Sequence, residues 1–254
     1  MRGLKDKVVV VAGGATGIGA ATALRVSQEG ASVVIGDLNL GAAQALVDTI
    51  VAEGGKAIAV EFDIGDDASV KRLVGAAVDA YGGLDGMHAN AANMGLLKTD
   101  GDAVDIALDV WDQTMAINLR GYLLCTRHAV PALLARGGGA IVYTSSGAAY
   151  VGEPARLAYA VAKSGINALM RHVASRWGKD GIRSNAIAPG VVMTENALAN
   201  MPAERKSMLL SQTRSARLGR TSDIAAMVAM LMSDDGDWIN GQVVSVDGGI
   251  TMRG

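Results

Sequence analysis

The chain has 254 residues, half of them hydrophobic, with a formal net charge of -2 and a single cysteine. Its acidic and basic side chains are interspersed, so no basic stripe points to nucleic acid or to an anionic membrane surface as a partner. One cysteine, Cys125, excludes an intrachain disulfide framework and a cysteine-cluster metal site, and it fits a reducing cytoplasm.

In chain order, short β-branched runs alternate with longer Ala-rich stretches. The opening MRGLKDKVVVVAGG moves from charge into valines and then glycine. It lacks the longer apolar region and small-residue cleavage site of a signal peptide, so a buried strand is expected over 7–12. Further strands are expected at 32–37, 56–62, 84–89, 139–145, 182–188 and 242–246. Helical patterns lie near 17–29, 40–53, 66–81, 104–135, 157–178 and 222–233. Continuous apolar strands followed by helices indicate a parallel sheet covered on both faces. Right-handed crossovers make it a doubly wound α/β sheet of about seven strands. Three Trp, five Tyr and one Phe beside 33 Gly suit close helix–sheet packing better than an all-β sandwich. No apolar run approaches the roughly 18 to 20 residues of a membrane span. With four prolines and no low-complexity linker, residues 1–254 read as one domain. The rhythm breaks after APG, where a stretch over 191–217 rich in Met, Leu and Ala replaces a simple loop. Ligands of open α/β sheets bind at the carboxyl ends of strands, so this stretch is a candidate substrate lid.

AGGATGIG, residues 12–19, follows the first strand and opens the first helix. Gly13, Gly17 and Gly19 are spaced G-x-x-x-G-x-G, which serves a tight turn, close approach of backbone to a pyrophosphate, and a helix N-terminus aimed at the anion. Asp37 ends the second strand, 20 residues beyond Gly17. A carboxylate there accepts hydrogen bonds from an adenosine ribose and repels a 2′-phosphate. No Lys or Arg stands at Ala15, Thr16, Leu38 or Asn39 to offset that repulsion, so the expected cofactor is NAD(H) in preference to NADP(H). Taken alone, Asp37 reads equally well as an acidic residue that starts a loop. Asp63, at the end of the third strand, has two readings: contact with an adenine, or a helix N-terminal carboxylate.

TSSGAAYVGEPARLAYAVAKSGINALM, residues 144–170, joins the fifth strand to a long helix. Ser145 and Ser146 stand at the strand's carboxyl end. Tyr159 comes 13 residues after Ser146, and Lys163 lies one helical turn further on the same face. Asn118 falls within a helical stretch, an unusual place for a side chain that competes for backbone hydrogen bonds. Singly, these are a surface pair, a strand-end hydroxyl and a buried amide. Together with GGATGIG, the NAA of 90–92, APGVVMT at 188–194 and VDGG at 246–249, they resemble a compact short-chain dehydrogenase/reductase from end to end.

The resemblance implies a Rossmann-type fold and an NAD(H)-dependent oxidoreductase interconverting a secondary alcohol and a ketone. Tyr159 would exchange the proton of the substrate oxygen. Lys163 would favour the phenolate by its charge and bond the nicotinamide ribose. Ser146 would hold the substrate oxygen, and Asn118 would position a water leading from Lys163 to solvent. The dinucleotide would lie against Gly13, Thr16, Gly17, Ile18 and Gly19, then Asp37 and Leu38, then Asp63 and Ile64. Asn90 and Ala91 follow, with Asn90 bracing the central strand. Pro189, Gly190, Val192 and Thr194, with Tyr159 and Lys163, would complete its site. Most relatives are tetramers, and the terminal VDGGITMRG is where they often meet. A sugar-nucleotide epimerase shares the Tyr-x-x-x-Lys logic but usually carries a further C-terminal domain. A nucleotide-binding scaffold or sensor on the same fold is the non-enzymatic alternative.

The chain departs from the family's N-N-A-G with ANAA at 89–92, and Ala12 replaces a threonine before the first glycine. His88, His128 and His172 have no metal-ligand spacing and read as structural. Cys125 reads as buried packing, and Arg156, three residues before Tyr159, as a solvated loop residue or a contact to a polar substrate. The substrate pocket is expected to draw on Met94–Lys98, Gly147–Gly152 and 191–217. Met193, Met201, Met208, Leu209 and Leu210 read either as core or oligomer contacts or, in a lid, as adaptable side chains favouring an apolar substrate.

Overall fold

The structure, a computed structural model, describes residues 1–252. Arg253 and Gly254, the end of the expected subunit-contact segment, lie outside the described residues.

Alternation along β1 (Val8–Ala12) organises the molecule. Val8, Val10 and Ala12 belong to one apolar cluster, Val9 and Val11 to another, because successive strand residues face opposite sides of a sheet. β2 (Ser32–Asp37), β3 (Lys56–Glu61), β4 (Gly86–Ala89), β5 (Gly139–Thr144), β6 (Ile182–Pro189) and β9 (Val243–Val246) complete a seven-stranded sheet. Its order is β3-β2-β1-β4-β5-β6-β9, and every pairing is parallel. The seven expected strands are all present, within two residues at each end.

Helices cover both faces, as the doubly wound arrangement requires. On one side lie α3 (Asp67–Tyr81), α5 (Gly121–Ala135) and α6 (Leu157–Trp177), contributing Leu73, Leu133 and Ile166. On the other lie α1 (Gly17–Gln28), α2 (Leu40–Ala52) and α9 (Thr221–Met232), contributing Val26, Val47 and Val228. Local chemistry sets several ends. Asp66 caps α3 by accepting the N–H groups of Ala68 and Ser69, and Gly82 closes it at φ +78°.

One expected helix is broken. The pattern over 104–135 resolves into a turn held by Asp102, then α4 (Leu108–Met115), a π-helical turn over Ala116–Arg120, and α5. Such π turns insert one extra residue and tend to occur where a side chain must be re-aimed; this one contains Asn118.

The stretch after β6 forms a short β7 (Val192–Met193), then α7 (Glu195–Asn200) and α8 (Ala203–Gln212). β7 pairs with β8 (Gly219–Arg220), returning the chain to α9. No helix among the described residues is long and apolar enough to cross a membrane.

Candidate active site

The chain reverses its winding direction between β1 and β4, and the carboxyl ends of β1 to β6 open there into a cleft of ≈ 1250 Å³. This crevice at a topological switch point is where open parallel sheets bind ligands. Its glycine loop is held from below: the N–H groups of Gly13 and Gly14 both donate to the Gly36 carbonyl, at 2.7 and 3.0 Å. Gly13 has φ +80°, and a Cβ there would lie 2.6 Å from the Ala91 backbone. A Cβ on Gly19 would fall 1.9 Å from the Gly13 carbonyl oxygen. The first turn of α1 can therefore approach the loop only as glycine, leaving backbone and a helix N-terminus facing the cleft.

Asp37 has one oxygen on the Ala15 N–H and the other on the Asn39 N–H, each at 3.0 Å, so its carboxylate braces the loop as well as lining the cleft. Of the two readings of Asp63, the helix-terminal role falls instead to Asp66. Asp63 lines the cleft and closes a short turn by accepting the Gly65 N–H at 2.8 Å. Asn90 holds two elements together: its amide donates to the Gly13 carbonyl at 2.8 Å and its oxygen accepts from the Thr144 hydroxyl at 3.0 Å.

The opposite wall is built on α6. Arg156, at the N-cap position, contributes no capping side chain. Asp100 supplies that cap from another segment, its two oxygens accepting the N–H groups of Ala158 and Tyr159 at 3.1 and 2.9 Å. The buried Ser145 hydroxyl ties the same helix to β5 by donating to the Lys163 carbonyl at 3.2 Å. Tyr159 is 9% exposed and lines the cleft, with its side chain near Ser146. Lys163 is 1% exposed; its Nζ donates to the Thr144 carbonyl at 2.8 Å and to the Tyr122 hydroxyl at 3.2 Å. The same Nζ lies 5.7 Å from the Tyr159 ring centroid and 4.9 Å from that of Tyr122.

Burial dominates the electrostatics. It pushes the Tyr159 phenol up from its ordinary value, while the Ser146 hydrogen bond and then the Arg156 charge act the other way. Burial also pushes Lys163 down to about 7. Burial, Ser146 and Arg156 are what act on the phenol here, and the lysine lies beside the ring without a hydrogen bond to its oxygen. The ammonium faces the ring, directs its hydrogen bonds to Tyr122 and Thr144, and is itself only partly charged near neutrality.

A family model described as enoyl-(acyl carrier protein) reductase matches residues 13–251. A protein of Bradyrhizobium diazoefficiens, named as a probable short-chain type dehydrogenase/reductase, is 44% identical over 97% of this chain and 88% of its own. The chain belongs to the short-chain dehydrogenase/reductase family. It is an oxidoreductase. Another relative, cyclohexanol dehydrogenase of an Acinetobacter species, is 36% identical over 98% of this chain and 96% of its own. Among solved structures, 7α-hydroxysteroid dehydrogenase complexed with NADH and 7-oxo glycochenodeoxycholic acid superposes with a TM-score of 0.91. It is 30% identical and covers 97% of this chain and 95% of that one.

Set against this short-chain dehydrogenase/reductase scaffold, the expected residues fall as follows. Gly13, Thr16, Ile18, Asp37, Leu38, Asp63 and Ile64 line one half of the cleft. Asn90, Ala91, Ser146, Tyr159, Lys163, Pro189, Gly190, Val192 and Thr194 line the rest. Gly17 and Gly19 are not among the cleft-lining residues; Gly17 faces the Thr194 side chain, and Gly19 is packed against the Gly13 carbonyl. Asn118 also lies behind the wall: it is buried, and its oxygen accepts the Asn93 N–H at 3.0 Å. Of the stretches expected to wall the substrate pocket, Met94 and Lys98 line the cleft and none of Gly147–Gly152 does. The cleft-facing side of the 191–217 stretch is more polar than its composition suggests. Asn196, Ala197, Asn200, Met201, Pro202 and Arg205 face the cleft, and Met193, Met208, Leu209 and Leu210 do not.

Cys125 is buried, which pushes its thiol up to about 12, and Arg156 pairs with Glu153 at the surface. Among the described residues no His, Cys, Asp and Glu group could hold a metal. Residues that the sequence did not single out include Asp100, Tyr122 and Thr144. The missing cap residue at position 156 was the one signal for Asp100. Tyr122 and Thr144 carried none, because each acts through a contact made only by the fold.

Proposed function

We propose that this oxidoreductase interconverts a secondary alcohol and a ketone, with a nicotinamide dinucleotide as redox partner. The observation that carries the reading is Tyr159: a buried phenol beside Ser146, one helical turn from Lys163, in the cleft that the glycine loop also lines. Two relatives are named for ring-borne hydroxyl groups, a cyclohexanol and a hydroxysteroid, which favours an alicyclic alcohol. The residues fit the dinucleotide: glycine at 13 and 19 lets the loop, Ala91 and the first turn of α1 pack backbone to backbone, so that main-chain N–H groups at the start of α1, and no side chain, meet the phosphates. When bound, the nicotinamide supplies or accepts the hydride.

The chain's own residues handle the proton. Ser146 orients the substrate oxygen toward Tyr159, and Tyr159 donates its proton in ketone reduction or accepts one in alcohol oxidation. Lys163, while charged, stabilises the phenolate that donation leaves. Asn118 positions the Asn93 segment at the edge of the cleft. Asp37, with no cleft-lining Lys or Arg on its own or the neighbouring loop, supports NAD(H) over NADP(H). The sheet and its two covering layers support reading the chain as one domain.

Kinetics with a panel of cyclic ketones test this directly. NADH is expected to give the higher kcat/KM; a preference for NADPH would overturn the cofactor assignment. Tyr159→Phe is expected to lose at least ~100-fold in kcat while binding NADH normally. Near-full turnover in that variant would sink the mechanism.

A further inference from the structure

The two ends of the cleft carry opposite charge. Beside β2 and β3 its acidic lining residues are Asp37 and Asp63. Its cations are Lys163, Lys98 and Arg205. Lys163 is buried and already bonded to Tyr122 and Thr144. Lys98 and Arg205 are exposed, and among the described residues neither side chain makes a hydrogen bond or an ion pair. They come from the segments that follow β4 and β6, the two strands flanking β5 and its Ser146. The Lys98 segment is stitched to the catalytic helix, since Asp100, two residues on, caps Tyr159, and the Gly101 carbonyl accepts the Leu157 N–H at 3.2 Å.

No acid of their own segments neutralises these cations. Asp100 is committed to the α6 backbone, and Glu195 and Glu204 of the lid do not line the cleft. The arrangement leaves an arginine fork and a lysine point charge on the substrate side, with polar Asn93, Asn196 and Asn200 among them. A neutral substrate would leave both charges unused.

We propose that the substrate carries a carboxylate remote from the reacting carbon, received by Lys98 and Arg205. This rests on the alcohol–ketone reading above, and it replaces the apolar lid expected from composition by one selective for charge. Part of the discrimination is Coulombic and falls with added salt.

The test reads binding, so it does not depend on turnover. 4-Hydroxycyclohexylacetate and its methyl ester are titrated calorimetrically into the NADH-loaded enzyme, a combination that cannot react. The acid is expected to bind roughly five-fold tighter than the ester at low salt. That ratio is expected to approach one at about 0.5 M salt, and likewise in the Lys98→Met/Arg205→Met double variant. Equal binding of acid and ester, tighter binding of the ester, or no binding of either overturns the proposal. So does a double variant that keeps the ratio and loses NADH affinity instead, because the cations would then serve the dinucleotide. If no ketone is reduced with either nucleotide, the alcohol–ketone reading fails separately, and the acid-to-ester ratio still stands or falls on its own.

Discussion

Asp100 shows how one residue far from the reaction can decide where the reacting group sits. Its carboxylate replaces the missing N-cap of α6 and takes the N–H of Tyr159 itself. A carboxylate at a helix N-terminus is favoured twice, by hydrogen bonding and by the helix dipole. Removing it frees the first helical turn, and with it the phenol's distance from Ser146. Asp100→Ala is expected to cost about 1–2 kcal/mol of stability and about ten-fold in kcat/KM, with Asp100→Asn recovering part of both. Thermal unfolding and steady-state kinetics check this. A variant with unchanged kcat/KM and only a lowered Tm would make Asp100 purely structural.

At the scale of elements, Thr144 is the joint between the two halves of the cleft. It closes β5, and its two oxygens serve different neighbours. The main-chain carbonyl receives Lys163 and Tyr122 of α6 and α5. The hydroxyl donates to Asn90 after β4, whose amide holds Gly13 of the loop after β1. Because that hydroxyl proton is directed to Asn90, the contact from buried His88, 2.9 Å from Thr144 Oγ1, must be a donation by Nε2–H. Thr144→Val keeps shape and carbonyl but leaves the Asn90 side-chain oxygen and the His88 Nε2–H without a partner, at about 1–3 kcal/mol for each unsatisfied group. The expected kinetic signature is a raised KM for NADH with kcat changed little, because Lys163 keeps its main-chain anchor. A fall in kcat with unchanged KM would show that the joint acts on the chemical half instead.

At the scale of the molecule, the sheet was legible because parallel strands buried on both faces read as continuous apolar runs, VVVV of β1 above all. The glycine loop and the Ser, Tyr and Lys set were legible because their spacing along the chain is itself the constraint. What stayed hidden depends on contacts across the fold: the Asp100 cap, the Thr144 joint, the π turn around Asn118, and which lid residues face inward. His88 is the sharpest case. It read as an ordinary satisfied histidine, yet it is wholly buried, its Nδ1 has no partner, and burial pushes its pKa down to about 3. The unfolded chain binds this proton near pH 6.5, well above the folded pKa, so between those values the unfolded state holds more protons. Stability linked to His88 is therefore fully present above about pH 6.5 and is lost progressively as pH falls toward 3, by a few kcal/mol over the whole interval. His88→Val, close in volume and unable to take a proton, is expected to flatten the acid side of the stability-versus-pH curve, as urea unfolding from pH 7 to 4 would measure. An unchanged slope would mean that His88 charges freely in the folded state, and the buried, neutral assignment would be wrong.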